Sequence, residues 1–373
     1  MSLRFCVLGL SITSSWGNGH ATTYRALLRA LAERGHDVLF LERDAPWYAQ
    51  NRDLPAPPFC RTELYGSLDE LRARFAAEVR DADVVIVGSY VPDGCAVGEW
   101  VLATARGISA FYDIDTPVTA RRLADGGCEY LTPALAGRYP LYLSFTGGPL
   151  LDKLARSYGA NARPLYCAVD PLLYEPSSQL ARWDLGYLGT YSPDRQPGLE
   201  CRLLEPARRR PRLRFTVAGP QYPSAIAWPP NVERVMHVAP GEHREFYGAQ
   251  RFTLNLTRAD MIAAGWSPSV RLFEAAACGV PIISDAWPGL EDFFTPGREI
   301  LSSQSPEETL SILDDLPEAE RRLVATAARQ RVLREHTAAH RAVTLEGYLQ
   351  SLSMSPGHRK SRRVGEITWP RSL

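Results

Sequence analysis

Short apolar runs alternate with amphipathic helical patterns along this chain, and that alternation restricts the folds open to it. Residues 3–10 form a strand-like run, and residues 22–34 follow with Tyr24, Leu27 and Leu31 at helical spacing. The same strand-like pattern recurs at residues 37–41, 84–88, 108–112, 142–145 and 163–167. Strands that alternate with helices form parallel βαβ units, so the first half of the chain predicts a doubly wound sheet.

A second series of the same kind begins near Trp183. Its strands are predicted at residues 185–188, 212–218, 232–238, 252–256 and 280–284. The sequence therefore predicts an α/β protein with two Rossmann-like halves, followed by C-terminal helices. The turn-rich residues 170–176 mark the boundary between the halves. We assign residues 1–170 to an N-terminal domain, 171–354 to a C-terminal domain whose last helix packs back on the first, and 355–373 to a mobile basic tail.

Composition limits the classes of partner. The 373 residues fit about two domains, and the formal net charge of zero gives no electrostatic case for nucleic acid or an anionic membrane. Seven scattered cysteines without a CxxC pair predict neither a disulfide framework nor a zinc ribbon, which favours a cytoplasmic protein. No apolar run reaches membrane length, and a homodimer remains open.

Residues 267–285 are the most informative segment for function. They predict a polar loop, a short helix, a Gly-Pro break and a buried strand. Arg271 and Glu274 are three residues apart and share one face of that helix near its N-terminus. A helix N-terminus attracts an anion such as a diphosphate, and a carboxylate one turn further on accepts hydrogen bonds from ribose hydroxyls. The spacing alone also fits an ordinary helix start with solvated side chains.

The loop after the first predicted strand carries a second candidate site. Gly17 and Gly19 allow close approach of a ligand, and His20 titrates near neutral pH, as a general base must. A dinucleotide-binding oxidoreductase is the rival interpretation, with Glu42 as its ribose-binding acid. That fingerprint requires glycine where the chain has Thr22, so the match is weak.

Two carboxylates end the predicted strand at residues 108–112. Asp113 and Asp115 are candidates for a base or for orienting an acceptor, because ligands gather at the carboxyl ends of parallel strands. The alternative is that the two aspartates belong to a turn that caps the next helix. A metal site of the DxD type is also possible but is less favoured than the acceptor role. His336 and His340 lack a third ligand, so no metal site is predicted.

Loops after later strands supply further polar groups. Arg195, within residues 189–195, is placed to pair with a leaving diphosphate, and Arg258 is a candidate second contact. Residues 219–222 and 237–241 follow strands as well and can present backbone groups to a base edge.

These residues together resemble the GT-B glycosyltransferases, specifically the CgeB-like group related to glycosyltransferase family 4. The resemblance rests mainly on residues 168–171, 189–195, 269–274 and 278–281, with residues 17–20 matching the family's first N-terminal loop. It implies two Rossmann-like domains facing a cleft, with residues 1–170 as the acceptor domain and residues 171–354 as the nucleotide-sugar domain. It also implies that no metal or other cofactor is required.

The resemblance also implies roles for individual residues. Arg195 neutralises the leaving group, and a base for an inverting reaction comes from His20 or Asp113. The expected nucleotide-sugar contacts are Gly17, Asn18, Gly19, Gly189, Thr190, Tyr191, Gln221, Val238, Thr257, Arg258, Ser267, Ser269, Val270, Arg271 and Glu274.

One position departs from the family pattern. Retaining family 4 enzymes usually carry an acid eight residues before the ribose-binding glutamate, where this chain has Trp266. The donor sugar and the stereochemical outcome are therefore open. The sequence predicts a hexosyltransferase-like enzyme that uses a nucleotide sugar, UDP-linked by preference, and an unidentified acceptor. A nucleotide-sugar epimerase, an NAD-dependent oxidoreductase and a non-catalytic binding or structural protein are the alternatives.

Overall fold

The computed structural model describes residues 2–17 and 19–354, and its strands in that part of the chain form two parallel sheets. The first sheet contains β1 Arg4–Gly9, β2 Asp37–Arg43, β3 Arg61–Tyr65, β4 Val84–Gly88, β5 Ile108–Asp113, β6 Leu141–Ser144 and β7 Ala162–Pro164. The second contains β8 Trp183–Leu188, β9 Phe215–Ala218, β10 Val232–Val235, β11 Gln250–Asn255, β12 Ile282–Ser284 and β13 Leu301–Ser302.

Helices cover both faces of each sheet. The helices that accompany the first sheet are α1 His20–Glu33, α2 Pro46–Ala49, α3 Leu68–Asp81, α4 Gly94–Thr104, α5 Thr116–Ala124, α6 Pro133–Arg138 and α7 Pro149–Tyr158. Those that follow are α8 Gln196–Leu199, α9 Glu205–Arg209, α10 His243–Gly248, α11 Ala259–Ala264, α12 Val270–Ala277, α13 Pro306–Asp315, α14 Glu318–Glu335 and α15 Ala338–Met354. This confirms the predicted fold class of two Rossmann-like halves with C-terminal helices.

Strand order determines where a ligand can bind. The first sheet runs β3-β2-β1-β4-β5-β6-β7 and the second β10-β9-β8-β11-β12-β13. The strand order of the first sheet reverses between β1 and β4, and that of the second between β8 and β11. A crevice opens beyond the carboxyl ends of the strands at such a reversal point. The loops after β1 and β4 therefore line the crevice of the first sheet, and the loops after β8 and β11 line that of the second.

The strands form because their residues are buried on both faces, as parallel strands under two helical layers must be. Residues Val84, Val85, Ile86 and Val87 of β4 are at most 1% exposed. The clusters above and below the first sheet meet across this strand.

The final helix packs on the first half of the molecule. Leu345 and Leu349 of α15 join the apolar cluster that contains Leu27 and Leu31 of α1. Glu346 accepts hydrogen bonds from Arg34 at 2.6 Å. We propose that the domain boundary lies near residue 170, in the connection between β7 and β8, with α15 returning across it.

The structure differs from the local expectations in two places. The sequence did not predict β3 or β13, because β3 is a partly exposed edge strand and β13 has only two residues. The run expected at residues 163–167 pairs only over Ala162–Pro164. The predicted C-terminal helices are α14 and α15, which are separate because the backbone of residues 336–338 pairs with Val169. The predicted tail at residues 355–373 lies outside the described residues.

Candidate functional site

A cleft of about 500 Å³ separates the two sheets and is lined by loops from both. Its size is typical of small-molecule and cofactor sites. The N-terminal face consists mainly of residues that follow β1, β2, β4, β5 and β6. The C-terminal face consists of residues that follow β8, β9, β10 and β11 together with the start of α12. We call these the N-face and the C-face.

The start of α12 is built around a buried arginine. The hydroxyl of Ser269 accepts from the Arg271 amide at 3.4 Å and caps the helix. Arg271 donates from Nε to the Leu188 carbonyl at 2.5 Å and from Nη1 to Asn255 Oδ1 at 3.0 Å. Its guanidinium is therefore fixed between the ends of β8 and β11, and it stacks over the Tyr187 ring.

Glu274 lies one turn further into the same helix and is buried on the cleft wall. Its Oε2 lies 3.6 Å from His243 Nδ1 and accepts from the Tyr247 hydroxyl at 3.3 Å. Burial by itself would raise the pKa of Glu274, but the neighbouring His243, Tyr174 and Arg271 outweigh it and lower the pKa. The carboxylate is thus held ionised, as a hydrogen-bond acceptor for a ligand must be.

The loop at residues 189–195 runs beside Arg271. A Cβ at Gly189 would come within 2.9 Å of the Arg271 guanidinium, so this position has no room for a side chain. Arg195 donates to the Thr190 carbonyl at 2.7 Å, and both residues line the cleft. The Tyr191 ring lies 5.5 Å from that of Tyr222 and is not among the residues that line the cleft.

One ion pair crosses the cleft between the two faces. Arg258 Nη1 lies 3.2 Å from Asp115 Oδ2, which also accepts from the Tyr90 hydroxyl at 2.7 Å. Thr257 is held by Asp285 through its amide at 3.0 Å and its hydroxyl at 2.9 Å. The position of Arg258 therefore depends on both halves of the molecule.

On the N-face, Glu42 fixes the loop that leads to His20. Its Oε1 accepts from the hydroxyls of Ser11 and Thr13, and its Oε2 accepts from the amides of Ile12 and Thr13, all within 3.0 Å. A carboxylate has about four lone-pair sites, and these four hydrogen bonds use them. Glu42 therefore has no acceptor left for a ribose hydroxyl, which counts against the oxidoreductase alternative.

His20 is the first residue of α1 and lines the cleft. Its ring stacks on that of Tyr90 with 5.9 Å between centroids. Burial lowers the pKa of His20, the Asp115 carboxylate opposes that effect and Arg258 adds to it. The imidazole is therefore neutral at neutral pH and able to accept a proton.

Asp113 occupies a different environment from the one expected. It is fully buried and accepts from Tyr142 at 2.5 Å and Thr119 at 2.7 Å. Burial raises the pKa of Asp113 to about 6 despite those hydrogen bonds. The side chain does not line the cleft, whereas that of Asp115 does.

The structure brings most of the expected residues to one place. Those that line the cleft are Gly17, Gly19, His20, Gly189, Thr190, Arg195, Val238, Thr257, Arg258, Ser267, Ser269, Val270, Arg271 and Glu274. Asp113, Tyr191 and Gln221 do not line it, and Gln221 is an exposed turn residue with φ of 70°. Asn18 lies outside the described residues.

Several residues of the cleft were not predicted, among them Tyr48, Tyr90, His243 and Tyr247. Tyr90 follows β4, so the strand-end argument applied to Asp113 would have found it. Nothing in the sequence connects His243 and Tyr247 to Glu274, because that contact depends on α10 packing beside α12.

Trp266, which replaces the family's usual acid, lies at the junction of the two halves. Its carbonyl accepts from the Gly147 amide at 2.9 Å, and its ring packs on Gly148 and Gly289. The indole Nε1 donates to Asp292 at 2.6 Å. The side chain is therefore used in packing.

Residues 2–17 and 19–354 contain neither a cluster of metal ligands nor a membrane-spanning helix. They contain no group of three or more His, Cys, Asp or Glu side chains placed to hold a metal ion. His336 and His340 are bonded instead to Arg341 and Thr337. In the same part of the chain, no helix has both the length and the apolar character needed to cross a bilayer.

Comparison with known proteins agrees with this architecture. Residues 195–347 match a protein family described as glycosyl transferase-like. No curated protein matches the chain. Sucrose-phosphate synthase from Thermosynechococcus elongatus is a structural neighbour with a TM-score of 0.67 and 15% identity, over 94% of this chain and 99% of that one.

Two other neighbours were solved with nucleotides. Anabaena HepE in complex with UDP-glucose has a TM-score of 0.69 and 13% identity, over 94% of this chain and 100% of that one. An alpha-glucosyltransferase in complex with UDP has a TM-score of 0.70 and 12% identity, over the same shares. The chain therefore has the two-domain GT-B fold of glycosyltransferases. Its C-terminal half carries a glycosyl transferase-like domain, while the narrower CgeB-like grouping stays a prediction.

Proposed function

We propose that this protein transfers a sugar from a nucleotide sugar, UDP-linked by preference, to a hydroxyl group of an acceptor. The observation that carries the proposal is the C-face, where Glu274, Arg271 and Arg195 line one wall of the cleft. The UDP and UDP-glucose complexes of the structural neighbours support UDP as the nucleotide.

The C-face has the groups that a nucleoside diphosphate needs. Glu274 accepts hydrogen bonds from the two ribose hydroxyls, since its lowered pKa keeps it ionised. The diphosphate lies at the start of α12, where the amide of Val270 and the helix dipole favour an anion. Arg195, Arg258 and Arg271 supply positive charge around it.

The reaction breaks the bond between the anomeric carbon and the diphosphate oxygen. The acceptor oxygen bonds to the anomeric carbon, and the nucleoside diphosphate leaves with the electron pair. Negative charge grows on the leaving oxygen, so the arginines bind the transition state more strongly than the donor. We propose that they make a metal ion unnecessary, and full activity in excess EDTA is the expected result.

We propose His20 as the group that accepts the proton of the acceptor hydroxyl. It lines the N-face opposite the arginines, and its lowered pKa keeps the ring nitrogen available at neutral pH. Asp113 was the other candidate, and its buried position away from the cleft argues against direct contact with an acceptor.

A nucleotide screen tests the proposal. UDP and UDP-sugars should raise the melting temperature, while ADP, GDP and NAD at equal concentration should have smaller effects. UDP release from the stabilising UDP-sugar should then depend on an added acceptor. Stabilisation by NAD alone contradicts the proposal, and acceptor-free conversion of the UDP-sugar into an epimer would indicate an epimerase.

A further inference from the structure

The charged side chains of the cleft are distributed unevenly between its two faces. In the described part of the chain, the charged residues that line it are three arginines, Arg195, Arg258 and Arg271, and two carboxylates, Asp115 and Glu274. All three arginines belong to the C-face. The N-face contributes Asp115 and no lysine or arginine.

A bound donor reverses the balance of charge. The arginines and carboxylates that line the cleft carry a net charge of +1, and each phosphate of the donor diphosphate adds a negative charge. The cleft that receives the acceptor is then net negative, with Asp115 on the acceptor side. A phosphate on the acceptor would enter this space without a cation, where removing it from water is costly.

Two arginines that bond to the loop after β1, Arg25 and Arg52, are already engaged. Arg25 is buried and makes two hydrogen bonds to Asp53, at 2.7 and 2.9 Å. Arg52 bonds to Asp44 at 2.6 Å and to the Thr13 hydroxyl at 3.1 Å. Redirecting either guanidinium toward an acceptor would leave its carboxylate partner unpaired.

The N-face offers aromatic, apolar and neutral hydroxyl groups instead. Tyr48, Tyr90 and Phe145 line it, together with hydroxyl residues such as Thr22. At its edge, Trp47 is 55% exposed beside Tyr48. Aromatic faces of this kind pack against rings, and hydroxyls bond to neutral polar groups at little desolvation cost.

We propose that the acceptor is an uncharged molecule whose reactive hydroxyl is carried on or beside a ring, and that phosphorylated acceptors, nucleic acids included, are excluded. This inference rests on the proposed glycosyl transfer. It goes further by naming the acceptor class from the N-face alone.

Matched probes test the acceptor class. With UDP bound, phenyl β-glucoside should quench the fluorescence of the tryptophans near the cleft in a saturable way, whereas glucose 6-phosphate and a single-stranded oligonucleotide should not. In the transfer assay at low salt, kcat/KM should fall at least about 100-fold when the acceptor gains a phosphate. Equal or tighter binding of the phosphorylated probes, or no binding of the glucoside, overturns the inference.

A charge-gain variant provides the converse test. Thr22→Lys introduces a cation on the N-face, and Thr22→Met is its uncharged control of similar length. The lysine variant should bind glucose 6-phosphate at least about tenfold more tightly than the methionine variant, with unchanged UDP-dependent stabilisation in both. Equal affinities would show that charge does not select the acceptor.

The same measurements separate the two proposals. Loss of the proposed function appears as absent UDP stabilisation, or as acceptor-free conversion of the UDP-sugar into an epimer, before any acceptor is compared. Failure of the acceptor-class inference appears as normal UDP binding together with phosphorylated acceptors that bind as tightly as the uncharged one, or more tightly.

Discussion

The two faces of the cleft use buried charge in different ways. On the C-face, Glu274 and Arg271 are fixed by strand ends and neighbouring side chains but still line the cavity. Behind the N-face, Glu42 and Asp113 are as deeply buried, yet their oxygens accept hydrogen bonds from groups within the protein. A buried carboxylate therefore indicates a binding site only when the structure leaves it an acceptor that faces the cleft.

The largest expected effect tests the C-face. Glu274→Ala should weaken UDP binding by at least about 100-fold, about 3 kcal/mol, because two hydrogen bonds from ribose to a charged acceptor are lost. Isothermal titration with UDP measures it. Gln221→Ala, in an exposed turn that does not line the cleft, is the control and should bind normally. Unchanged UDP affinity in Glu274→Ala would contradict the proposal that Glu274 binds the ribose, and with it the proposed difference between the two faces.

His20→Ala tests the chemical role of the N-face. Transfer should fall by about 100-fold in kcat, the usual contribution of a general base, while UDP affinity stays within about twofold. Steady-state assays and titration on the same preparation give both numbers. A parallel loss of UDP affinity would make His20 a donor contact, and an unchanged kcat would exclude it as the base.

Asp113→Asn tests whether this carboxyl behind the N-face is structural. The folded pKa of about 6 lies above the ordinary 3.8, so folding favours the protonated form. That stabilisation is complete well below pH 4 and is lost as the pH rises through 6, a change of about 3 kcal/mol. Urea unfolding should therefore show wild type losing stability relative to the variant between pH 4 and 7. Parallel pH profiles would contradict the raised pKa.

The smallest effect is expected for Glu42→Gln. The amide presents a donor where the carboxylate accepted from backbone amides, so the free energy of unfolding should fall by about 1.5 kcal/mol. UDP should still stabilise the variant, because the loop belongs to the N-face. The exposed pair of Glu63 and Arg74 provides Glu63→Gln as a control with no measurable change. Loss of UDP stabilisation in Glu42→Gln would mean that the faces are not independent.

Much of the fold could be predicted from local patterns. The strands β1, β2, β4 and β5 were located within a few residues, because buried parallel strands are short, uniformly apolar runs. The edge strands β3 and β13 escaped the same reasoning, since an edge strand lacks that apolar signature.

The residues of the candidate site also differ in how well the sequence could predict their positions. The C-face residues Ser269, Arg271 and Glu274 belong to one loop and helix start, so their spacing already indicated their shared side. Asp113 and Asp115 are equally close in sequence, but a side chain at a strand end turns either into the core or toward the cleft, and spacing does not decide which.

By itself, the sequence determined two parallel α/β halves and a helix start suited to a nucleotide, because apolar periodicity and helix geometry are local properties. Only the tertiary structure decided that the Glu42 carboxylate is fully hydrogen-bonded to its own loop and that His243 and Tyr247 flank Glu274. It also decided that, among the described residues, no lysine or arginine of the N-terminal half lines the cleft. Each of those facts depends on which groups from distant segments meet, and hydrogen-bond capacity and charge balance are properties of the assembled site.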